Sequence, residues 1–395
     1  MRTFSASWIF PISSPPVKNG SITVDDNGRV VGLETTNNKQ QTTNLQGIIL
    51  PGFINTHCHL ELSYLKGKIS GKKGMNGFIS EFVQNRGKAS GSEIKNSIAA
   101  AEKEMLENGV VAVGDISNTS DSFARKAKNN LYYHTFIEIF DLNPSRTEAE
   151  FEKGISLQRE LQTQNSRLRA SSIVPHAPYT VTPKLFSLIN ALEQDIVCIH
   201  NQESAGEKEL FENKSGPLHE MLASTGTDLS WIKDGHKSSL RTVLPMLNKC
   251  KKIQFVHNTY TPSRDLEWLR SQYSHLLSHI YFATCPNANL YIENKLPDYN
   301  AFIALGAKMT IGTDSYASNW SLSILDEIKT IHKHFPDIPL EKLFTWATHN
   351  GAEFLGIEKN FGSLEKGKAP GLIFIKDCDV ENLRLKENST VERLA

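Results

Sequence analysis

The sequence predicts an α/β protein: a (β/α)8 barrel of TIM type over residues 51–361, with a small discontinuous β-sandwich from residues 1–50 and 362–395. Three observations lead there. Eight short apolar runs recur between helix-like stretches, run after run ends in a metal-capable or acid/base residue, and both chain ends are β-like with few helix signals.

The first fifty residues alternate apolar and polar in FSASWIF and GSITVDDNGRVVGLE, and DDNG is a hairpin signal. After LPGF the pattern changes. The strand candidates are IILPGFINTH, GVVAVGDIS, LYYHTFIEIF, RASSIVPHAPY, DIVCIHNQE, KIQFVHNTY, HIYFATCPNAN and KMTIGTDS. Helix-like SEIKNSIAAAEKEMLENG and TPKLFSLINALEQ lie between them, and SLSILDEIKTIHKHF follows the last. Near-continuous apolar strands alternating with amphipathic helices mean parallel strands buried on both faces. Eight is the count of a barrel. Periodicity alone leaves closure open, since an open doubly wound sheet shares the pattern. GSLEKGKAPGLIFIKDCDVENL turns β-like again after a Pro-Gly break, so the two ends are expected to fold together.

Composition narrows the function. The 395 residues are 39% hydrophobic and 22% charged, a soluble globular balance. Lys+Arg and Asp+Glu both number 43, which gives no field for nucleic acid or a membrane surface; a small-molecule partner is expected. No run approaches the roughly 18 apolar residues of a membrane span, and the first residues lack a signal-peptide core. The five cysteines are scattered, odd in number and mostly within apolar runs, as expected of reduced thiols in the cytoplasm. Symmetry statistics favour a homodimer.

His57 and His59 end the first strand candidate two residues apart, so both rings point to one side and suit one divalent cation. Cys58 between them faces the other way and is expected to pack. His200 is a third candidate ligand and Asp314 a fourth. Singly, each has a bland explanation: hydrogen-bonded core histidines for the pair, a turn or helix-cap residue for Asp314. In a barrel, however, all strand ends converge on one face. Three histidines and one carboxylate there, with room for water, make the open arrangement of a catalytic metal.

Glu203, three residues past His200, is either a solvated charge or a group that reaches the water or a substrate ring nitrogen. His257 is a further ligand or a general acid/base, and His176 in PHAPYT is fixed by its turn or touches substrate. Glu61 and His176 are the candidate polar contacts to substrate. The loop after the first strand, LELSYLKGKISGKKGMNGFISEFVQNR, has glycines to serve as the hinges of a lid. His134, His219, His236, His275, His279, His332, His334 and His349 lack strand-end placement and are expected to be structural or surface residues.

With these residues in view, the chain resembles the amidohydrolase superfamily, in its cytosine deaminase and chlorohydrolase branch. PGFINTHCHLE resembles the strand-one metal motif, HNQE the His-x-x-Glu motif, VHN the strand-six histidine, GTDS the strand-eight aspartate, and GSLEKGKAPGLIFI the return to the small domain. The likeness spans essentially the whole chain. Binuclear members use a lysine from strand four; RASSIVPHAPYTV ends without one, so the resemblance implies a single metal on His57, His59, His200 and Asp314, zinc or alternatively iron. CPNANLYI departs from the usual Cys-Pro-x-Ser-Asn: Ala288 stands in the serine position, and Asn289 is kept as a candidate substrate-binding residue. HLELS, PHAPYTVTPKLF and GTDSYASN resemble, more narrowly, aminodeoxyfutalosine deaminases of menaquinone synthesis.

The resemblance implies deamination of a purine nucleoside-like or related N-heterocycle by a metal-bound hydroxide. Asp314 would take the proton of the water, Glu203 would protonate a ring nitrogen, and His257 would orient or polarise the nucleophile. Hydrolysis of a cyclic amide or a chloro-substituted ring would use the same site, and a catalytically silent scaffold is the remaining alternative. The absence of Pro-Cys-x-x-Cys excludes the other zinc deaminase fold.

Overall fold

The computed structural model describes residues 1–35, 43–164, 170–233 and 237–395. Arg169, the expected start of the fourth strand, and His236 lie outside the described residues. Eight parallel strands follow one another: β1 (Phe53–Cys58), β2 (Val110–Ser117), β3 (Tyr132–Ile139), β4 (Ser171–Pro175), β5 (Ile196–Asn201), β6 (Lys252–His257), β7 (Ile280–Thr284) and β8 (Lys308–Ile311). Beyond its first residue, each strand is buried throughout, as strands covered on both faces must be.

Strands β1 to β4 form one four-stranded sheet and β5 to β8 another, each in chain order. The halves meet at two seams. Where β8 returns to β1, Cys58 bridges Asp314, and the His57 carbonyl accepts the N–H groups of Thr313 and Asp314, both at 3.0 Å. Asn55 Nδ2 donates to Thr313 Oγ1 at 2.8 Å and Thr56 Oγ1 to the Ile311 carbonyl at 3.1 Å. Gly312 permits this approach: a Cβ there would lie 2.7 Å from His57 Cβ and 2.8 Å from its carbonyl oxygen. Between β4 and β5, His200 N–H donates to the His176 carbonyl at 3.0 Å. One turn below, the Gln194 amide replaces a strand partner, accepting from Ile173 N at 2.6 Å and donating to Ile173 O at 2.7 Å. The ring of strands is thus closed.

Helices cover the outside for legible reasons. Ile324–His334 places Ile324, Ile328 and Ile331 on one buried stripe. Ser323 caps its first turn, while Lys333 places a positive charge at its C-terminal end.

Both chain ends meet in one seven-stranded mixed sheet, the small β-domain. Its order is Thr390–Arg393, Leu372–Lys376, Thr43–Pro51, Arg2–Ile9, Ser21–Val24, Val30–Glu34, with Val17–Lys18 paired to Arg2–Ile9. The expected hairpin forms at Asp25–Arg29, where Gly28 has φ +73°. Phe4, Ile9, Ile22, Ile49, Leu372 and Phe374 build a separate apolar core there. Phe10 packs edge-on against Phe344 of the barrel layer, 5.1 Å between centroids.

Candidate metal centre

The strand register brings the polar strand ends level. Asn201 pairs with His257, so His200 and His257 sit one residue apart on adjacent strands, and Cys58 pairs with Asp115 across β1 and β2. Four centre residues or their neighbours adopt left-handed backbone: His257 at φ 72°, Asn258 at 56°, Asp314 at 58° and Gln202 at 47°. Such conformations cost about 1–3 kcal/mol each in non-glycine residues and persist where surrounding bonds impose them. Here the His57 carbonyl holds Asp314, and Tyr260 N–H holds the Gln202 carbonyl at 2.8 Å.

His57, His59 and His200 each present a ring nitrogen, all within 4.8 Å of one another. The Nε2 atoms of His57 and His59 are 3.2 Å apart. Asp314 Oδ1 lies 3.7 Å from His57 Nε2 and 3.4 Å from His59 Nε2, while Ser318 Oγ donates to its Oδ2. His200 Nδ1 donates to the His176 carbonyl at 2.8 Å, which leaves Nε2 as the lone-pair nitrogen. Burial, followed by the neighbouring histidines, holds His57 and His59 well below the ordinary imidazole range. Burial likewise lowers His200 to about 3. Neutral imidazoles converging with a carboxylate are the donor set of a divalent ion, and the residues fit one. The four candidates named from sequence are therefore brought together. Cys58 is wholly buried in the apolar core, as its strand alternation required.

A second trio, Glu138, His176 and His200, also lies within 4.8 Å. It shares His200, whose Nδ1 faces Glu138 Oε1 at 3.5 Å and already bonds the His176 carbonyl. Glu138 escaped the sequence reading, although a glutamate inside the apolar run FIEIF was a usable signal. Asn118 Nδ2 holds its Oε2 at 3.0 Å, and its buried Oε1 has no hydrogen-bond partner.

Beside the metal cluster, His257 Nε2 stands 3.5 Å from Glu203 Oε1. His257 Nδ1 pairs with Asn289 Oδ1 at 2.9 Å, and its Nε2 is buried without a partner, as is Asn289 Nδ2. Burial raises Glu203 well above the carboxylate range, helped by the charges of Asp314 and Glu207. Its backbone is set by Glu207, whose carboxylate accepts the N–H groups of Gln202 and Glu203 at 2.8 and 3.0 Å.

His176 bonds Thr180 Oγ1 through Nδ1 at 2.8 Å, and its ring stands 4.9 Å from that of His200. Glu61 uses both carboxylate oxygens on the loop after β2: Asn118 N at 3.0 Å, Thr119 N at 3.0 Å and Thr119 Oγ1 at 2.8 Å. Of the remaining histidines, His134 is buried against Ser172 Oγ at 2.9 Å. The helix Gly74–Asn85 offers the Met75 N–H to Glu293 Oε1 at 2.8 Å, while Tyr260 OH donates to Oε2 at 2.9 Å.

Comparison with known proteins places this geometry. Residues 48–393 match the amidohydrolase family. An adenosine deaminase of Helicobacter pylori is 27% identical over 336 residues, covering 82% of this chain and 78% of that protein. The crystal structure of Helicobacter pylori aminofutalosine deaminase in complex with methylthio-coformycin superposes with a TM-score of 0.77 at 21% identity, covering 100% of both chains. An adenosine deaminase from Xanthomonas campestris with bound zinc gives 0.71 at 20%, covering 98% of this chain and 87% of that one. The chain belongs to the amidohydrolase family, metal-dependent hydrolases acting on C–N bonds, and two groups that share His200 are able to hold its divalent ion: His57, His59 and His200, or Glu138, His176 and His200.

Proposed function

We propose that this enzyme deaminates a purine nucleoside or related N-heterocycle, replacing a ring amine with oxygen and releasing ammonia. The observation that carries the reading is the pairing of the metal cluster with an unpartnered, buried His257 Nε2 beside Glu203. His57, His59, His200 and Asp314 would hold the ion, zinc by the chemistry of its donors. When bound, such an ion lowers the pKa of water from about 15.7 toward 7 and supplies a nucleophile at neutral pH.

Every other step belongs to the chain. Asp314, with one oxygen fixed by Ser318, takes the proton of the attacking water. Glu203, whose hold on its proton is strengthened by burial, donates to the ring nitrogen next to the amine-bearing carbon. His257, with Nδ1 anchored on Asn289, turns Nε2 toward the nucleophile. Asn289 Nδ2 and His176 offer polar contacts to substrate. Glu61 acts through the Asn118–Thr119 loop that it holds. On collapse of the tetrahedral carbon the C–N bond breaks: Asp314 passes the water proton to the amine, which leaves as ammonia, and the proton of the new hydroxyl returns to Glu203 as the ring carbonyl forms.

The narrower substrate we propose is aminodeoxyfutalosine, with a place in menaquinone synthesis. HLELS, PHAPYTVTPKLF and GTDSYASN support it, as does the full-length likeness to a protein described as an aminofutalosine deaminase. The five cysteines are all free, which supports a cytoplasmic enzyme; among the described residues no helix is long and apolar enough to cross a membrane. A homodimer is expected on symmetry grounds, and sedimentation tests it. The helix Gly74–Asn85 serves as the lid latched by Glu293; deleting residues 67–77 is expected to raise KM and spare metal content, whereas unchanged KM removes the lid.

The decisive assay is a panel of adenosine-type, guanine, cytosine, cyclic-amide and chloro-heterocycle substrates scored for ammonia. Release from the nucleosides is expected. Ring-opened or dechlorinated products without ammonia would overturn the deaminase reading.

A further inference from the structure

Two ionisable side chains that the proposed chemistry does not use lie completely buried beside the strand that carries His57. Asp115, near the end of β2, and Lys126, from the short helix Phe123–Lys126, are both 0% exposed. Lys126 Nζ stands 2.5 Å from Asp115 Oδ2, an ion-pair contact; its N–H groups point to Ser117 Oγ at 2.9 Å and Thr135 Oγ1 at 3.2 Å. A buried pair of this kind rarely improves on an apolar pair for stability, which leaves its presence to be explained by something else.

The other oxygen of Asp115 supplies the explanation. Asp115 Oδ1 accepts the Leu60 N–H at 2.8 Å. Leu60 opens the 3-10 turn Leu60–Leu65, and the residue in its cap position is His59. A helical start leaves N–H groups in need of acceptors, normally provided by the cap side chain. Here the cap side chain is an imidazole turned toward His57 and Asp314, and it makes no capping bond. The neighbouring strand supplies the acceptor instead. On the same stretch, the β1–β2 ladder skips register between Asn55 and Cys58, so regular strand pairing does not fix the direction of His59.

We infer that Asp115, neutralised by Lys126, is a positioning residue for the metal centre: by capping the Leu60 amide it aims the His59 ring at His57 and Asp314. The inference rests on the reading of His57, His59, His200 and Asp314 as ligands. Glu61 clamps the same turn to the loop after β2, so loss of Asp115 weakens the centre without abolishing it.

The test uses the full-length protein loaded with cobalt(II), which reports ligand geometry by its visible spectrum, and zinc affinity measured against a chromogenic chelator at 25 °C. The double variant Asp115→Ala/Lys126→Met removes the acceptor and leaves no lone charge. Zinc affinity is expected to fall about 10- to 100-fold, as for other partners that orient ligands, with an altered cobalt spectrum. Asp115→Asn/Lys126→Met keeps an acceptor for Leu60 N–H and is expected to stay within about threefold of the parent. Parent-like affinity and spectrum in the alanine variant, or equal loss in the asparagine variant, overturns the positioning role. Should the alanine variant fail to fold, Asp115→Glu decides: it keeps the ion pair and displaces the acceptor, and unchanged affinity there is likewise fatal. Failure of the ligand reading shows separately, as a parent protein without a stoichiometric cobalt spectrum, and takes the inference with it.

Discussion

The two seams of the barrel are built differently. At the β8–β1 seam, the His57 carbonyl takes two backbone N–H groups, Asn55 and Thr56 add side-chain bonds, and Gly312 lets the backbones nearly touch. At the β4–β5 seam, one backbone bond from His200 to His176 and the Gln194 amide close the gap. Three of the four ligand candidates, His57, His59 and Asp314, belong to the β8–β1 seam, and His200 belongs to the β4–β5 seam. An ion held by all four would therefore join β1 of one half-barrel to β5 and the end of β8 of the other. Catalysis and closure draw on the same residues.

The largest effect expected from this comparison comes from the metal. Chelation should abolish activity, restored by zinc, and amide exchange near Ile173 and His176 should rise more than exchange near His57. Equal protection at both seams before and after chelation would remove the idea of a metal cross-link. Ligand-linked stabilisation of about 2.7 kcal/mol is expected when free metal is 100-fold above Kd, read as a higher Tm.

Next comes the acid. Glu203→Gln is expected to lower kcat about 10²- to 10⁴-fold with metal content unchanged. A variant that loses its metal instead would make Glu203 part of the ligand set.

Each seam can then be broken from its own side. Gly312→Ala drives a methyl into His57 and should cost about 1–3 kcal/mol, together with weaker metal binding. Gln194→Ala strands the Ile173 N–H and carbonyl and should cost a similar 1–3 kcal/mol, but with metal affinity changed less because it touches no ligand. Denaturation and chelator competition on both variants give the comparison; identical metal affinities would contradict the asymmetry.

The last expectation is a pH dependence. Burial raises Glu207 from 4.5 to about 7, so the folded chain holds a proton that the unfolded chain has released. Its contribution to stability is complete below about pH 4.5 and is lost as pH rises through 7. Glu207→Gln should flatten the stability profile across that window, whereas an unchanged slope would show that Glu207 does not titrate there.

Much of this was legible in the sequence, for physical reasons. Parallel strands buried on both faces must be apolar, so GVVAVGDIS, DIVCIHNQE and KMTIGTDS announced β2, β5 and β8 close to their observed bounds. Polar residues at the ends of such runs stand out, which is why His57, His59, His200 and Asp314 could be named. Closure was not legible, because it depends on contacts between strands far apart in the chain. Glu138 and Asp115 were visible as charges within apolar runs, yet their partners were not: the bond from Leu60 N–H to Asp115 has no periodic signature. Glu61 is a candidate substrate contact from HLELS, and nothing in that stretch reveals that its oxygens accept from Asn118 and Thr119.

One measurement bears most directly on the metal centre: metal per chain, by elemental analysis, in the parent, His57→Ala and Glu138→Gln. The geometry predicts one equivalent in the parent, almost none in His57→Ala, and one again in Glu138→Gln. Retention of metal by His57→Ala with its loss from Glu138→Gln would move the ion to the Glu138, His176 and His200 trio and contradict the ligand set described above.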